Sequence, residues 1–133
     1  EGVCTSNSIY FCENGRWCLG TSKINDTHKY GWLPVNRIIR YSSNIGAAKI
    51  GLDLGAEIYF NYLQRLGFSR AVDLPFPGCS KGLIRPYHKW NKVDLAAASF
   101  GQGVAITTLH LAQAYLCLAR EGVLTPLKLV SKP

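Results

Sequence analysis

Three consecutive residues, Ser42-Ser43-Asn44, place two hydroxyls and a carboxamide where one apolar helical pattern stops and another starts. A hydroxyl donates and accepts at once, and a carboxamide does both without charge, so such a turn can relay protons and hold a polar substrate. The same residue types are preferred helix N-caps, so capping alone also accounts for them. Gly101-Gln102-Gly103 precedes another helix start, where backbone amides favour anions; it lacks the lysine of a phosphate-binding loop and reads as a tight structural turn. His110, within Leu109-His110-Leu111, has the chemistry of a general base, but no Cys, Ser or Asp partner is at hand, and it reads as a half-exposed first-turn residue.

Two further groups invite chemistry and fail on spacing. Lys81, Arg85, Lys89 and Lys92 interleave with Tyr87, His88 and Trp90, a mixture found in nucleic-acid patches and in solvated basic loops alike. The expectation is a solvated loop and no nucleic-acid partner. Cys4, Cys12, Cys18, Cys79 and Cys117 match no paired zinc spacing, and His28, His88 and His110 lie far from them. No metal is expected, and the cysteines read mostly as buried small hydrophobes.

The chain that must position these residues has 133 of them, with 15 Lys and Arg against 8 Asp and Glu, 47% hydrophobic and 17% charged. A folded chain of this length hides roughly two-thirds of the surface its unfolded form exposes, enough for a core without metals or disulfides. Disorder is excluded by the apolar content and low charge density. No run approaches the ~20 apolar residues of a membrane span, and Glu1-Gly2-Val3-Cys4-Thr5 lacks the basic start and apolar middle of a signal peptide. With no methionine at all, the chain reads as a piece of a longer protein.

Along the chain, Asn14-Gly15 stands between two aromatic-rich arms and predicts a hairpin that sets Cys12 opposite Trp17 and Phe11 opposite Cys18. Residues Thr21 to Lys29 read as a polar loop. Helices are predicted from Pro34 to Tyr41, from Ile45 to Leu54 with small Gly46, Ala47 and Ala48 in the first turn, and from Ala56 to Leu66 with Gly67 as the C-terminal cap. Pro75, Pro77, Gly78, Gly82 and Pro86 break Val72 to Trp90 into extended segments and turns. Asp94 to Ser99 reads as a short helix. The last helix is capped by Thr107, with Leu109, Ala112, Leu116 and Ala119 on one face, and Leu124 to Leu127 leave as an extended tail. The class is α+β and helix-rich.

The order of these features is more specific than any one of them. A Ser42-Ser43-Asn44-Ile45-Gly46 turn is followed by Leu66-Gly67-Phe68, and then by an unbroken run from Ser99-Phe100-Gly101-Gln102-Gly103 to Ala112-Gln113-Ala114-Tyr115. From about Trp32 to Pro126 this closely resembles the transpeptidase domain of class B penicillin-binding proteins, enzymes that cross-link peptidoglycan in cell division and cell-shape maintenance. The resemblance implies a partial domain of the penicillin-binding protein and serine β-lactamase-like fold: residues 1–31 a hairpin and loop, residues 32–133 the helical part carrying the Ser-x-Asn motif. It implies that Ser42 and Asn44 are catalytic and that Asn44 and Ser43 touch substrate. Ser42 would relay a proton between the family's catalytic Lys and the reacting amines, and Asn44 would hydrogen-bond that Lys and the peptide.

The chain departs from the family signature in holding no Ser-x-x-Lys and no Lys-Thr-Gly or Lys-Ser-Gly. In the family these lie upstream and downstream of the stretch matched, so the expectation is a central segment, inactive alone, of an active parent. The partners implied are peptidoglycan stem peptides, β-lactam antibiotics and a membrane-anchored cell-wall synthesis complex on the extracytoplasmic side of the bacterial inner membrane; no cofactor is implied. The alternative is a noncatalytic peptide-binding module of the same machinery, which a parent lacking Ser-x-x-Lys would support.

Overall fold

The computed structural model describes residues 2–74 and 79–128. The chain divides into two compact units, Glu1–Tyr59 with Pro86–Gly103, and Phe60–Arg85 with Val104–Pro133. Among the described residues no helix is long and apolar enough to cross a membrane.

The first unit opens with four short strands, β1 (Ile9–Phe11), β2 (Arg16–Leu19), β3 (Ser22–Asn25) and β4 (Trp32–Pro34). They form two antiparallel ribbons: β1 pairs with β4, Tyr10 opposite Leu33, and β2 with β3, Trp17 opposite Ile24. This corrects the predicted hairpin. Glu13 and Asn14 take positive φ, 52° and 50°, in a single 3-10 turn, and Gly15 follows at 84°. A Cβ on Gly15 would stand 2.6 Å from the His28 carbonyl oxygen, so the turn is pressed onto a distant segment rather than closing on itself. Its arms then go to different partners, because pairing Trp17 with Ile24 and Tyr10 with Leu33 gathers apolar side chains into one core. Cys12 and Cys18 therefore do not face across one ladder, and both are free thiols. The ribbon that does turn back is β2–β3, across Gly20 and Thr21, and the stretch read as a polar loop contains strand β3. Its alternation of exposed Lys23 and Asn25 with buried Ile24 is that of a half-buried strand.

Helices α1 (Val35–Tyr41) and α2 (Asn44–Leu54) follow, then α3 (Ala56–Arg65), within which the two units divide, and α4 (Lys92–Ser99), which returns to the first unit. The core comprises Cys12, Ile24, Leu33, Ile38, Ile45, Ala48 and Ala96. Small residues let the helices meet: a Cβ on Gly46 would lie 2.7 Å from Ile38, and one on Gly51 would overlap the Ser99 side chain. Lys49 ties α2 to the strands, donating to the Phe11 carbonyl at 2.7 Å and pairing with Glu13 while its ammonium sits 5.1 Å from the Trp17 ring centre.

In the second unit β5 (Leu83–Ile84) pairs with β6 (Val104–Ala105), and α5 (Thr108–Ala119) supplies the stripe His110, Ala114 and Cys117 to the core. The predicted face of Leu109, Ala112, Leu116 and Ala119 is not the buried one, and His110 is fully buried rather than half-exposed. The reason is a capping box in which His110 is the third residue: its Nδ1 accepts the Thr107 N–H at 3.1 Å, and its Nε2 donates to the Arg70 carbonyl at 2.6 Å. Only the neutral ring with hydrogen on Nε2 satisfies both partners, which turns the side chain inward and leaves no lone pair for base catalysis. Pro75, Pro77 and Gly78 of the predicted extended stretch lie outside the described residues. Of the five cysteines only Cys12 and Cys117 are buried; Cys18 is exposed and Cys4 and Cys79 are intermediate, so the expectation of mostly buried thiols holds for two.

Candidate active site

The Ser42-Ser43-Asn44 turn lies between α1 and α2, each residue with a different structural task. Ser42 ends α1 in the left-handed conformation, φ 53° and ψ 46°. Its N–H donates to the Ile39 carbonyl, and that of Ser43 to the Ile38 carbonyl at 3.0 Å, the two bonds of a Schellman motif. That position is ordinarily glycine, because a Cβ in left-handed backbone costs energy. Ser43 is 1% exposed and is the N-cap of α2, its Oγ accepting the Gly46 N–H at 3.0 Å. Asn44 is the first residue of α2, half-buried, its Nδ2 donating to the Asn25 carbonyl at 2.8 Å. With Nδ2 so engaged, the side-chain orientation is fixed and Oδ1 is the group left to accept a hydrogen bond.

One residue that reading the sequence did not single out holds this turn. Asp26, just past β3, accepts the Ser43 hydroxyl proton at 2.7 Å through Oδ2 and the Ile45 N–H at 3.0 Å through Oδ1. One carboxylate thus serves a buried side-chain donor and one of the orphan amides at the positive end of α2. Asp26 is itself placed by its N–H, which donates to the Gly15 carbonyl at 3.1 Å, so the Asn14-Gly15 turn serves the site through Asp26. Nothing in sequence spacing links Asp26 to Ser43, 17 residues away. The only available signal is an acidic residue directly after a strand, which has many uses.

Cys12 borders this network. Burial pushes its thiol above the ordinary cysteine range, with Ser43 acting against that shift and Asp26 reinforcing it. It stays a protonated core thiol and not a nucleophile.

Ser42, Ser43 and Asn44 line a groove of about 410 Å³ together with mostly apolar residues, among them Ile38, Ala47, Ile50, Leu54 and Phe100. Tyr59 also lines it, its hydroxyl donating to the Ala98 carbonyl at 2.9 Å, and burial raises its pKa so that the phenol stays protonated. Of the other sequence candidates, Gly101 and Gly103 adopt φ of 92° and 75° in the tight turn expected of them. Lys81 and Arg85 fall in the second unit and Lys89 and Lys92 in the first.

The chain is a helix-rich α+β protein with a Ser-x-Asn turn in the lining of a largely apolar groove. The family model for the penicillin-binding protein transpeptidase domain matches residues 1–133, and the chain belongs to that family. It is 38% identical over 109 residues to the probable peptidoglycan D,D-transpeptidase PenA of Neisseria gonorrhoeae, covering 82% of this chain and 19% of that protein. The apo structure of the TP domain of Burkholderia pseudomallei penicillin-binding protein 3 superposes with a TM-score of 0.89 at 34% identity, over 92% of this chain and 37% of that one. A crystal structure described as a peptidoglycan glycosyltransferase from Burkholderia ambifaria gives 0.92 at 32% identity, over 97% and 41%. The chain therefore spans about a fifth of the curated relative and two-fifths of the solved structures.

Proposed function

We propose that this chain is the segment of a peptidoglycan D,D-transpeptidase that carries the second active-site motif, with Ser42 and Asn44 as its catalytic groups and Asn44 toward the substrate; Ser43, expected to touch substrate as well, is buried with its hydroxyl spent on Asp26 and the Gly46 amide, and holds the turn from behind. The observation that carries the reading is Ser42 itself. A non-glycine residue is held in left-handed backbone at a position where glycine is the unstrained choice, exposed on the rim of a groove. Strain of this kind is kept where a side chain is needed.

In this reading a serine of a Ser-x-x-Lys motif, outside these residues, attacks the D-Ala-D-Ala carbonyl carbon. The C–N bond breaks, the terminal D-Ala leaves carrying a proton, and the acyl-enzyme is resolved by an amine of a second stem peptide, which gives up a proton in turn. The Ser42 hydroxyl accepts and donates along that proton path. Asn44, its Nδ2 committed to the Asn25 carbonyl, offers Oδ1 to the catalytic ammonium. β-Lactams acylate the same serine. The setting is the extracytoplasmic face of the bacterial inner membrane, within a cell-wall synthesis complex, with peptidoglycan stem peptides as substrate.

The test is labelling by a fluorescent penicillin. The isolated chain is expected to remain unlabelled after denaturation, and the intact protein to be labelled. A denaturation-stable adduct on the isolated chain would overturn the assignment of the nucleophile to another segment.

A further inference from the structure

The outer face of the β2–β3 ribbon is a second feature beside the turn that the proposed reaction does not use. Its composition follows from the pleat. Trp17 and Ile24 are opposite one another and turn toward the core, so the alternate residues Arg16 and Asn25, and Cys18 and Lys23, come out together on the other face. These four residues, with Gly15, Trp17 and Asp26, line a hollow of about 560 Å³. Arg16 and Lys23 are exposed, and the one ion pair found among the described residues is Lys49 with Glu13, so neither cation is neutralised by a carboxylate. The carboxylate that does border the hollow, Asp26, has each oxygen already accepting a hydrogen bond, from Ser43 and from the Ile45 amide.

The hollow adjoins the catalytic turn through hydrogen bonds. Asn25, one of its lining residues, gives its carbonyl to Asn44, and Asp26 holds Ser43. A group bound there would sit on the same ribbon end that holds Ser43 and Asn44. From this juxtaposition we infer that the Arg16, Lys23 and Asn25 face of the β2–β3 ribbon binds a side-chain carboxylate of the peptide substrate. A guanidinium fork takes a carboxylate through two parallel hydrogen bonds, an ammonium adds a point charge, and a carboxamide donates a third bond, a set that suits a carboxylate better than a neutral amide. The inference rests on the transpeptidase reading for the identity of the peptide but not for the chemistry of the hollow.

The experiment compares two D-Ala-D-Ala-terminated peptides that differ only in whether an internal side chain ends in a carboxylate or a carboxamide. Binding to the intact protein is followed by fluorescence anisotropy, and turnover by D-Ala release. The carboxylate peptide is expected to bind roughly fivefold to tenfold more tightly, the yield of two exposed charge-assisted contacts. Arg16→Ala with Lys23→Ala should erase that preference, raising KM for the carboxylate peptide while leaving kcat and the rate of labelling by fluorescent penicillin within twofold. Equal binding of the two peptides to the wild type, or a preference that survives the double substitution, would overturn the inference. A protein that binds with the expected preference but is never labelled by penicillin would leave the carboxylate site standing and remove the transpeptidase reading.

Discussion

Ser42→Gly should make the fold more stable and slow the acylation of the intact protein by penicillin that the proposed function predicts. In left-handed backbone a Cβ costs about 1–2 kcal/mol, and Ser42 sits at φ 53°, ψ 46°. Glycine removes that cost but enlarges the unfolded ensemble by roughly 0.5–1 kcal/mol, so the net gain is about 0.5–1 kcal/mol. For a chain of this size that is roughly 2–5 °C in Tm. Both Schellman hydrogen bonds use backbone atoms and survive the change. Ser42→Ala is the control, because it keeps the Cβ and the strain while losing the hydroxyl, and its stability should stay within about 0.5 kcal/mol of wild type. Loss of one general acid–base group costs about 10²-fold or more, so both variants should be acylated by fluorescent penicillin at least that much more slowly. Urea unfolding gives the first quantity and stopped-time labelling the second. A glycine variant that is less stable than wild type would refute the strain argument. One that is acylated at the wild-type rate would refute the role of the hydroxyl.

Asp26→Ala leaves the buried Ser43 hydroxyl and the Ile45 amide without their acceptor, and should cost about 2 kcal/mol in urea unfolding; the cost should shrink by about 1 kcal/mol in a Ser43→Ala background, since the two residues share one bond. Gly51→Ala removes a helix-interior glycine yet should destabilise, because its Cβ meets the Ser99 side chain, and Ser99→Gly should restore part of the loss on thermal melting. Tyr10 has its pKa pushed up to about 12 by burial, then by its hydrogen bond with Asp53. A raised folded pKa means stability is complete below pH 10 and is lost as the pH climbs from 10 toward 12, and Tyr10→Phe should flatten that part of the curve. Cys18 should react with a thiol reagent in the native protein while Cys12 and Cys117 react only on unfolding, as counted by mass spectrometry.

The helices were legible because their signals are local. Pro34, the Ser42-Ser43-Asn44 turn and the Thr107 cap mark ends within a few residues of the elements they bound, while the helix read as Asp94 to Ser99 starts two residues earlier behind an Asn91 cap that the sequence reading did not use. The strand pairing was not, because Asn14-Gly15 is a strong local turn signal whose outcome depends on His28 and on partners at residues 22–25 and 32–34. His110 was misplaced for a similar reason: apolar periodicity counts leucines, while a histidine satisfied by Thr107 and the Arg70 carbonyl buries as well as a hydrophobe does. The motif itself was readable as Ser-x-Asn, and its strained backbone was not, since only the meeting of two helices puts Ser42 in left-handed conformation. Asp26 was invisible because a side chain reaching a helix start 17 residues on leaves no periodic trace.

The most direct measurement is the acylation rate of the intact protein by a fluorescent penicillin, compared among wild type, Ser42→Ala and Asn44→Ala. A Ser-x-Asn turn that takes part in acyl transfer predicts a wild-type adduct that survives denaturation and a rate at least ~10²-fold lower in each variant. An absent adduct, or variants acylated as fast as wild type while equally folded, would contradict it.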